Sequence, residues 1–348
     1  MEAWKRACCY LAFRRSRHGV FLGRMRALEH LVLIDGHHLM YRAYWAIPRT
    51  LKTRKGEQVN TVFGMASMLL SIMKIEQPDR MVVCFDAGEE TFRHEQNETY
   101  KEGRAETPDD FYVQIPRVLE LIDVWALPHA ENKKYEADDL LCAYAKQAVD
   151  AGDRVTIVTG DRDAFQLASD KVKISIPHSG YMQPEYMGPE EIYAKYGIRP
   201  DQVPAYKGLV GDSSDNLPGV KGIGPKTASE LLQKYDTLEA VYENLGDIRP
   251  SVRAKLEADK ESAFFCQHMA RLVSDIDLVP AYADTKLKDI DSQAVIAFFD
   301  DMEFTMLKRR LIEFLKTPYG AGITGGDVQA LVASVFGGEE EVKQQALF

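Results

Sequence analysis

The chain reads as an α/β protein in which a mostly parallel sheet, covered by helices, is followed by an all-helical region. Three observations carry that reading. Short β-branched runs alternate with helical patterns through the first half, an order that builds a parallel sheet with helices on both faces. From about Gly188 the strand pattern stops and only helical periodicities remain. Most of the clustered carboxylates directly follow a strand-like run, at the edge where a parallel sheet presents residues to a ligand.

The predicted strands are HLVLIDG (30 to 36), DRMVVCFDA (79 to 87), RVTIVTGD (154 to 161) and VKISIP (172 to 177). Helical patterns between them include NTVFGMASMLLSIMKI and ADDLLCAYAKQAV. Residues 1 to 28 are Arg-rich and nearly acid-free, the composition of a transit peptide. An upstream extension with Met25 as the functional start, or a disordered leader, is the preferred reading, with organellar import left open. The charged insertion GEETFRHEQNETYKEGRAETPDDF follows the second strand and shows no evident core face; insertions of this length form lids or binding loops. This insertion and the helix ending near Trp125 together cover about 88 to 125. The sequence thus divides into an extension (1 to 28), an α/β core (29 to 187), a helical region (188 to 316) and a Gly-rich tail (317 to 348). Within the tail, DVQALVASVF has helical spacing.

At 45% apolar and 28% charged residues the composition is that of an ordinary soluble protein. No run reaches the roughly 18 apolar residues of a bilayer span, so no membrane role is expected. Five cysteines without CxxC spacing (Cys8, Cys9, Cys84, Cys142, Cys266) argue against disulfides and zinc. The net charge of −10 is set largely by nine clustered acids; the remainder is near neutral and leaves room for a basic face.

Those acids are Asp35, Asp86, Glu136, Asp138, Asp139, Asp161, Asp163, Asp212 and Asp215. Two like charges about 4 Å apart repel by roughly 4 kcal/mol at an effective dielectric near 20, so a converging pool needs bound cations. Oxygen donors at this density favour Mg²⁺ or Mn²⁺, and the matching chemistry is metal-assisted attack on a phosphate ester. In KKYEADDLLCAYA the three acids open a helix, where its dipole favours negative charge for structural reasons as well. In TGDRDAFQL, Asp161 and Asp163 flank a turn opened by Gly160. Asp212 and Asp215 lie three apart and precede PGVKGIGPKTA, a helix-hairpin-helix signature. There Gly222 and Gly224 let main-chain N–H groups approach a phosphate at a helix N-terminus, and Lys221 and Lys226 add charge. Such contacts hold DNA without reading its sequence.

The motifs DGHHLMYRAYWAIP, FDAGEETFRHE, YKEGRAETPDDF, YEADDLLCAYA, TGDRDAFQL and KGLVGDSSDNLPGVKGIGPKTA occur in order. Together they resemble the 5′-3′ exonuclease domain of bacterial DNA polymerase I, a branch of the flap endonuclease (5′ nuclease) family, here without a following polymerase. The resemblance implies a PIN-like nuclease core with a helical arch and a helix-three-turn-helix DNA-binding region. It implies a first metal held by Asp35, Asp86, Glu136 and Asp138. A second would be held by Asp161, Asp163, Asp212 and the shared Asp138, with Asp139 and Asp215 as outer acids. Arg93 and Lys101 match arch residues that contact the scissile phosphate, and Tyr41 an aromatic on which the terminal base stacks. Arg42, Arg104, Lys221 and Lys226 match DNA contacts, and hairpin carbonyls around Val220 and Ile223 match a K⁺ site.

The implied function is a structure-specific 5′-3′ exonuclease and flap endonuclease using two Mg²⁺ ions, with Mn²⁺ as substitute. It would act in replication and repair on 5′ flaps, nicks, single-strand/double-strand junctions and RNA–DNA primer junctions, as a cytoplasmic, nucleoid-associated monomer. His37 and His38 stand where small or polar residues are common in the family, and structural roles are expected for both. The final QQALF resembles a sliding-clamp-binding peptide anchored by Gln344, Leu347 and Phe348. A PIN-domain ribonuclease is disfavoured by the hairpin and the arch, and a non-catalytic scaffold by the complete acid set.

Overall fold

The computed structural model describes residues 27–88, 91–103, 106–325 and 331. Arg104, nearly all of the N-terminal extension, and the tail with Gln344, Leu347 and Phe348 lie outside the described residues, as does all of DVQALVASVF except Leu331.

Strands β1 (His30–Asp35), β2 (Arg80–Asp86), β3 (His129–Asn132), β4 (Arg154–Val158), β5 (Val172–Ile176) and β6 (Glu185–Met187) form one sheet. Its order is β3-β2-β1-β4-β5-β6. The first five strands run parallel and β6 pairs antiparallel at the edge. The chain leaves β1 toward β2 on one side and later returns to β4 on the other. The carboxyl ends of β1 and β4 therefore frame the point where the winding reverses, the crevice in which such sheets bind ligands.

Helices α1 (Gly36–Ala46), α2 (Asn60–Glu76), α3 (Phe92–Gln96), α4 (Asp109–Tyr112) and α5 (Ile115–Val124) precede β3, and α6 (Ala137–Asp150) follows it. After the sheet come α7 (Pro189–Tyr196), α8 (Val203–Val210), α9 (Pro225–Tyr235), α10 (Leu238–Glu243), α11 (Pro250–Ala258) and α12 (Lys260–Ala270). The last are α13 (Ser292–Asp301), α14 (Thr305–Leu315) and α15 (Pro318–Gly322).

Alternation along the strands sorts these helices into two layers. Val32, Ile34, Val83 and Phe85 face a layer built from α1, α2, α5, α13 and α14. Leu31, Leu33, Val82, Cys84, Val155 and Ile157 face α6 and, beyond it, helices of the 203–263 segment. Each such fully buried aliphatic side chain contributes roughly 1.5–3 kcal/mol. Covering both faces also explains why the central strands read as continuous apolar runs.

Three features depart from the sequence reading. The strands β3 (HAEN) and β6 (EYM) were not predicted, because they are short edge strands whose pairing comes from their neighbours. Within the expected arch, α5 buries Val118, Leu121 and Ile122 in the first layer, and the insertion before it buries Arg93, Tyr100 and Phe111. The helical segment divides between the two faces, with α13 and α14 returning to α5 and α2. Among the described residues no helix is long and apolar enough to cross a membrane.

Candidate metal centre

The sheet delivers the acids to one edge. Asp35 ends β1 and caps α1: its Oδ1 accepts the His38 N–H at 2.9 Å and its Oδ2 accepts the Thr159 hydroxyl at 2.8 Å. Asp86 ends β2 and accepts the Ala137 N–H at 2.8 Å, which ties that strand to the start of α6. Glu136 caps α6 and Asp138 and Asp139 occupy its first turn, where the exposed N–H groups offset negative charge. Asp161 follows β4, and its carboxylate accepts the Asp163 N–H at 2.9 Å. Asp212 and Asp215 sit on a turn after α8, closed by paired backbone bonds between Asp212 and Leu217 at 2.8 Å. Gly219 and Gly211 permit that closure: Gly219 has φ +64°, and a Cβ there would lie 2.2 Å from the Gly211 nitrogen.

Asp35, Asp86, Glu136, Asp138, Asp161, Asp163 and Asp215 line one cavity of about 250 Å³. Asp212 lies just outside it, yet one carboxylate oxygen each from Asp163, Asp212 and Asp215 fall within 4.8 Å of one another. Asp139 is fully buried beneath the site. Burial, reinforced by the charges of Asp86 and Asp161, pushes the Asp35 carboxyl up to about 7. Burial and then Asp161, Asp35 and Asp86 push Asp138 well above the usual carboxylate range, and Asp138 Oδ1 is buried without a hydrogen-bond partner. An orphaned carboxylate oxygen among carboxylates that resist ionisation fits a divalent cation bound by oxygen donors.

Three cations already face the pool. Arg93, expected at the scissile phosphate, is 2% exposed and has all five N–H groups engaged. Its Nε donates to the Met269 carbonyl, one terminal nitrogen to Glu136 (3.1 Å) and Asp139 (2.6 Å), and the other to Asp139 (2.9 Å) and the Arg271 carbonyl (3.0 Å). In this arrangement it supports the acids from below and has no donor left for a phosphate. Burial opposes its charge, but Asp139 and Glu136 hold it protonated. Lys101 lines the cavity, as Arg93 does: its Nζ donates to Glu136 Oε1 at 2.5 Å and its backbone N–H to the Asp215 carbonyl. Lys207 pairs with both Asp163 and Asp212. Burial alone would raise Asp212, yet the Lys207 charge, with hydrogen bonds from Lys207 and Ser214, holds it at about 2. This ammonium is a stand-in for a cation on that side of the pool.

The other anticipated residues are placed as follows. Tyr41 lines the cavity, but one ring face is stacked on Phe111 (centroids 4.6 Å apart) and its hydroxyl meets Thr107 at 2.6 Å. Arg42 lies on a neighbouring cavity. In the hairpin, Gly222 has φ +80° and Gly224 caps α9. Lys221 is exposed and its N–H donates to Asp259, while the Lys226 side chain is 90% exposed. Val220 and Ile223 are buried. The Val220 carbonyl accepts the Ile223 N–H at 3.0 Å, and the Lys255 ammonium donates to the Gly222 carbonyl at 2.8 Å. The hairpin carbonyls expected around K⁺ are thus partly occupied by the chain's own donors.

Sequence reasoning passed over Thr159, Tyr100 and Lys207. All three lay in motifs already quoted: Thr159 directly before Gly160-Asp161, Lys207 five residues before Asp212, and Tyr100 at the head of YKEGRAETPDDF. Tyr100, whose hydroxyl donates to Glu136 at 3.2 Å, was obscured by the charged composition around it.

A carboxylate pool with its own cations, at the crevice of a parallel sheet, suits the chemistry of divalent-metal-dependent phosphodiester hydrolases. Comparison with known proteins gives the family. The family model "5′-3′ exonuclease, N-terminal resolvase-like domain" matches residues 30–197, and "5′-3′ exonuclease, C-terminal SAM fold" matches residues 198–293. The chain belongs to the 5′-3′ exonuclease family and is a nuclease. It is 38% identical over 290 residues to DNA polymerase I of Bacillus subtilis (83% of this chain, 33% of that protein). It is 42% identical over 277 residues to thermostable DNA polymerase I of Thermus aquaticus (80% and 32%). The chain therefore spans about a third of the length of these relatives. Among solved structures it shares the fold of a bacteriophage T5 flap endonuclease complexed with DNA and metal ions (TM-score 0.59, 21% identity, 81% of this chain and 98% of that one). It also shares that of the catalytic core of Rad2 with DNA substrate (TM-score 0.55, 17% identity, 83% and 92%).

Proposed function

We propose that this chain is a structure-specific 5′-3′ exonuclease and flap endonuclease that hydrolyses phosphodiesters with two divalent ions, Mg²⁺ for preference and Mn²⁺ as substitute. The observation that carries the reading is the convergence of acids from five separate chain segments on one edge of the sheet, with Asp138 Oδ1 left without a partner. Asp35, Asp86, Glu136 and Asp138 would hold one ion; Asp161, Asp163, Asp212 and the shared Asp138 the other. Bound there, such ions supply an attacking water of lowered pKa and neutralise the charge of the phosphate and leaving oxygen.

The chain's own residues do the rest. Lys101, on the cavity wall, offers positive charge to a phosphate once its acid partner is otherwise neutralised. Arg93 and Tyr100 hold Glu136 and Asp139 in place, so the acids keep their geometry between turnovers. The hairpin leading into α9, with Lys221, Lys226 and the N–H groups near Gly222 and Gly224, would grip duplex DNA through its phosphates. The T5 and Rad2 structures, which carry DNA, support that role. Substrates would be 5′ flaps, nicks and junctions, RNA–DNA primer junctions included, in replication and repair. Monovalent K⁺ at the hairpin, a sliding clamp on QQALF, a monomeric state and a cytoplasmic location complete the proposal.

The direct test is cleavage of end-labelled flap, nicked and single-stranded DNA with Mg²⁺, Mn²⁺ or EDTA. Metal-dependent release of 5′ products at the junction is expected. Cleavage that persists in EDTA would sink the metal assignment, and preference for unstructured strands would sink the substrate assignment.

A further inference from the structure

His38 stands where three cavities meet. Its side chain lines the acid cavity, a second of about 530 Å³ that contains Arg42 and Trp45, and a third of about 520 Å³ that contains Arg162 and Lys207. Among the described histidines it alone has a ring with neither a hydrogen bond nor a salt bridge. Its neighbour His37 has a structural place, with Nδ1 accepting the Asp86 N–H and the ring edge-on to Phe85. The His38 backbone is fixed by Asp35, but its Nε2 is buried with no partner.

The ring is held in this place by a gap in the neighbouring chain. A Cβ on Gly160 would lie 2.5 Å from His38 Cε1 and 2.6 Å from Nε2, closer than real carbons approach. Gly160 thus has a second role beside opening the turn: it makes room for an imidazole that bonds to nothing in the protein. Buried polar atoms without partners are uncommon and mark places where a ligand completes the set. In either protonation state the ring keeps at least one N–H. The second cavity carries Arg42 and the third Arg162, and both the acid cavity and the third are lined by Asp161. A polyanionic strand that reaches the acid pool by way of either basic group lies along a cavity that the imidazole lines.

We propose that His38 is a substrate contact, its ring N–H donating to a nonbridging oxygen of the phosphodiester strand that crosses the acid cavity. The contact rests on the nuclease reading above and deepens it by naming a residue that positions the cleaved strand.

The test is steady-state cleavage of end-labelled flap DNA with Mg²⁺ by the full chain and its His38→Ala and His38→Gln variants, with flap binding measured in EDTA alongside. Loss of one hydrogen bond to a charged oxygen predicts a fall in kcat/KM of roughly 10- to 100-fold for His38→Ala. His38→Gln, which keeps an N–H at similar reach, is expected to recover most of it. Melting temperature and the Mg²⁺ titration midpoint stay at wild-type values. Gly160→Ala, which forces the ring aside, is expected to produce a loss that overlaps with that of His38→Ala in the double variant. An active wild type matched by His38→Ala, a Gln variant no better than Ala, or fully multiplicative losses with Gly160→Ala would each overturn the contact. A wild type that neither cleaves nor binds flap DNA would sink the nuclease reading and this contact with it.

Discussion

Replacing Arg93 with Met separates two roles for one residue. If the guanidinium contacts substrate, its loss lowers turnover and leaves the fold alone. The structure gives the other answer, because all five N–H groups are engaged and the partner Asp139 is fully buried. Removing one partner of a buried ion pair costs about 3–5 kcal/mol, since the remaining charge is left unpaired. For a chain of this size that is a fall of roughly 5–8 °C in melting temperature. The assay is thermal or urea unfolding of Arg93→Met, Asp139→Leu and the double variant. Removing both charges leaves none unpaired, so the double variant is expected to recover at least about 2 kcal/mol relative to the sum of the single losses. Arg93→Met that melts with the wild type while losing turnover would return the guanidinium to the substrate and refute the supporting role.

The acid pool predicts a pH dependence of known sign. Asp35 sits at about 7 when folded against an ordinary value of 3.8, and Asp138 is shifted the same way, so the folded chain binds more protons between these values. Stability in EDTA therefore falls as pH rises from about 4 to 7, by up to roughly 4 kcal/mol from Asp35. Melting at pH 5.5 is expected above melting at pH 8, with Mg²⁺ closing the gap; a reversed order in EDTA would contradict it. Asp163→Asn should cut turnover by orders of magnitude with flap binding retained, measured by cleavage and gel shift; near-normal cleavage with Mg²⁺ would remove Asp163 from the ligands. Lys226→Ala should weaken DNA binding similarly across sequences and reduce the salt slope by about one, and an unchanged slope would exclude that contact. Deleting residues 344 to 348 should abolish clamp binding in a pull-down with purified clamp and spare cleavage; clamp binding that survives would retire the peptide.

The central sheet was legible because β1, β2, β4 and β5 are buried on both faces and spelled in β-branched residues, and Asp35, Asp86 and Asp161 because they end or closely follow those strands. The edge strands were not, since HAEN and EYM owe their conformation to pairing. The engagement of Arg93 was hidden for a related reason. A charged residue in a charged insertion looks solvated until the carbonyls of Met269 and Arg271, more than 170 residues later in the chain, close over it. Lys207 and Thr159 were invisible as site residues because their partners are fixed by the turn after α8 and by the register of β4 beside β1. Site chemistry carried by strand ends reads from sequence; chemistry carried by long-range closure does not.

The Lys207 ammonium between Asp163 and Asp212 has a consequence for assembly. A chain that carries its own counter-ion can reach its native state before any divalent ion arrives, because the worst repulsion on that side is already neutralised. Loading that side then becomes an exchange of one cation for another, and its affinity is a difference between two attractions. Such a side fills and empties with ambient ion concentration, whereas Asp35 and Asp138, whose burial resists ionisation, set the firmer demand.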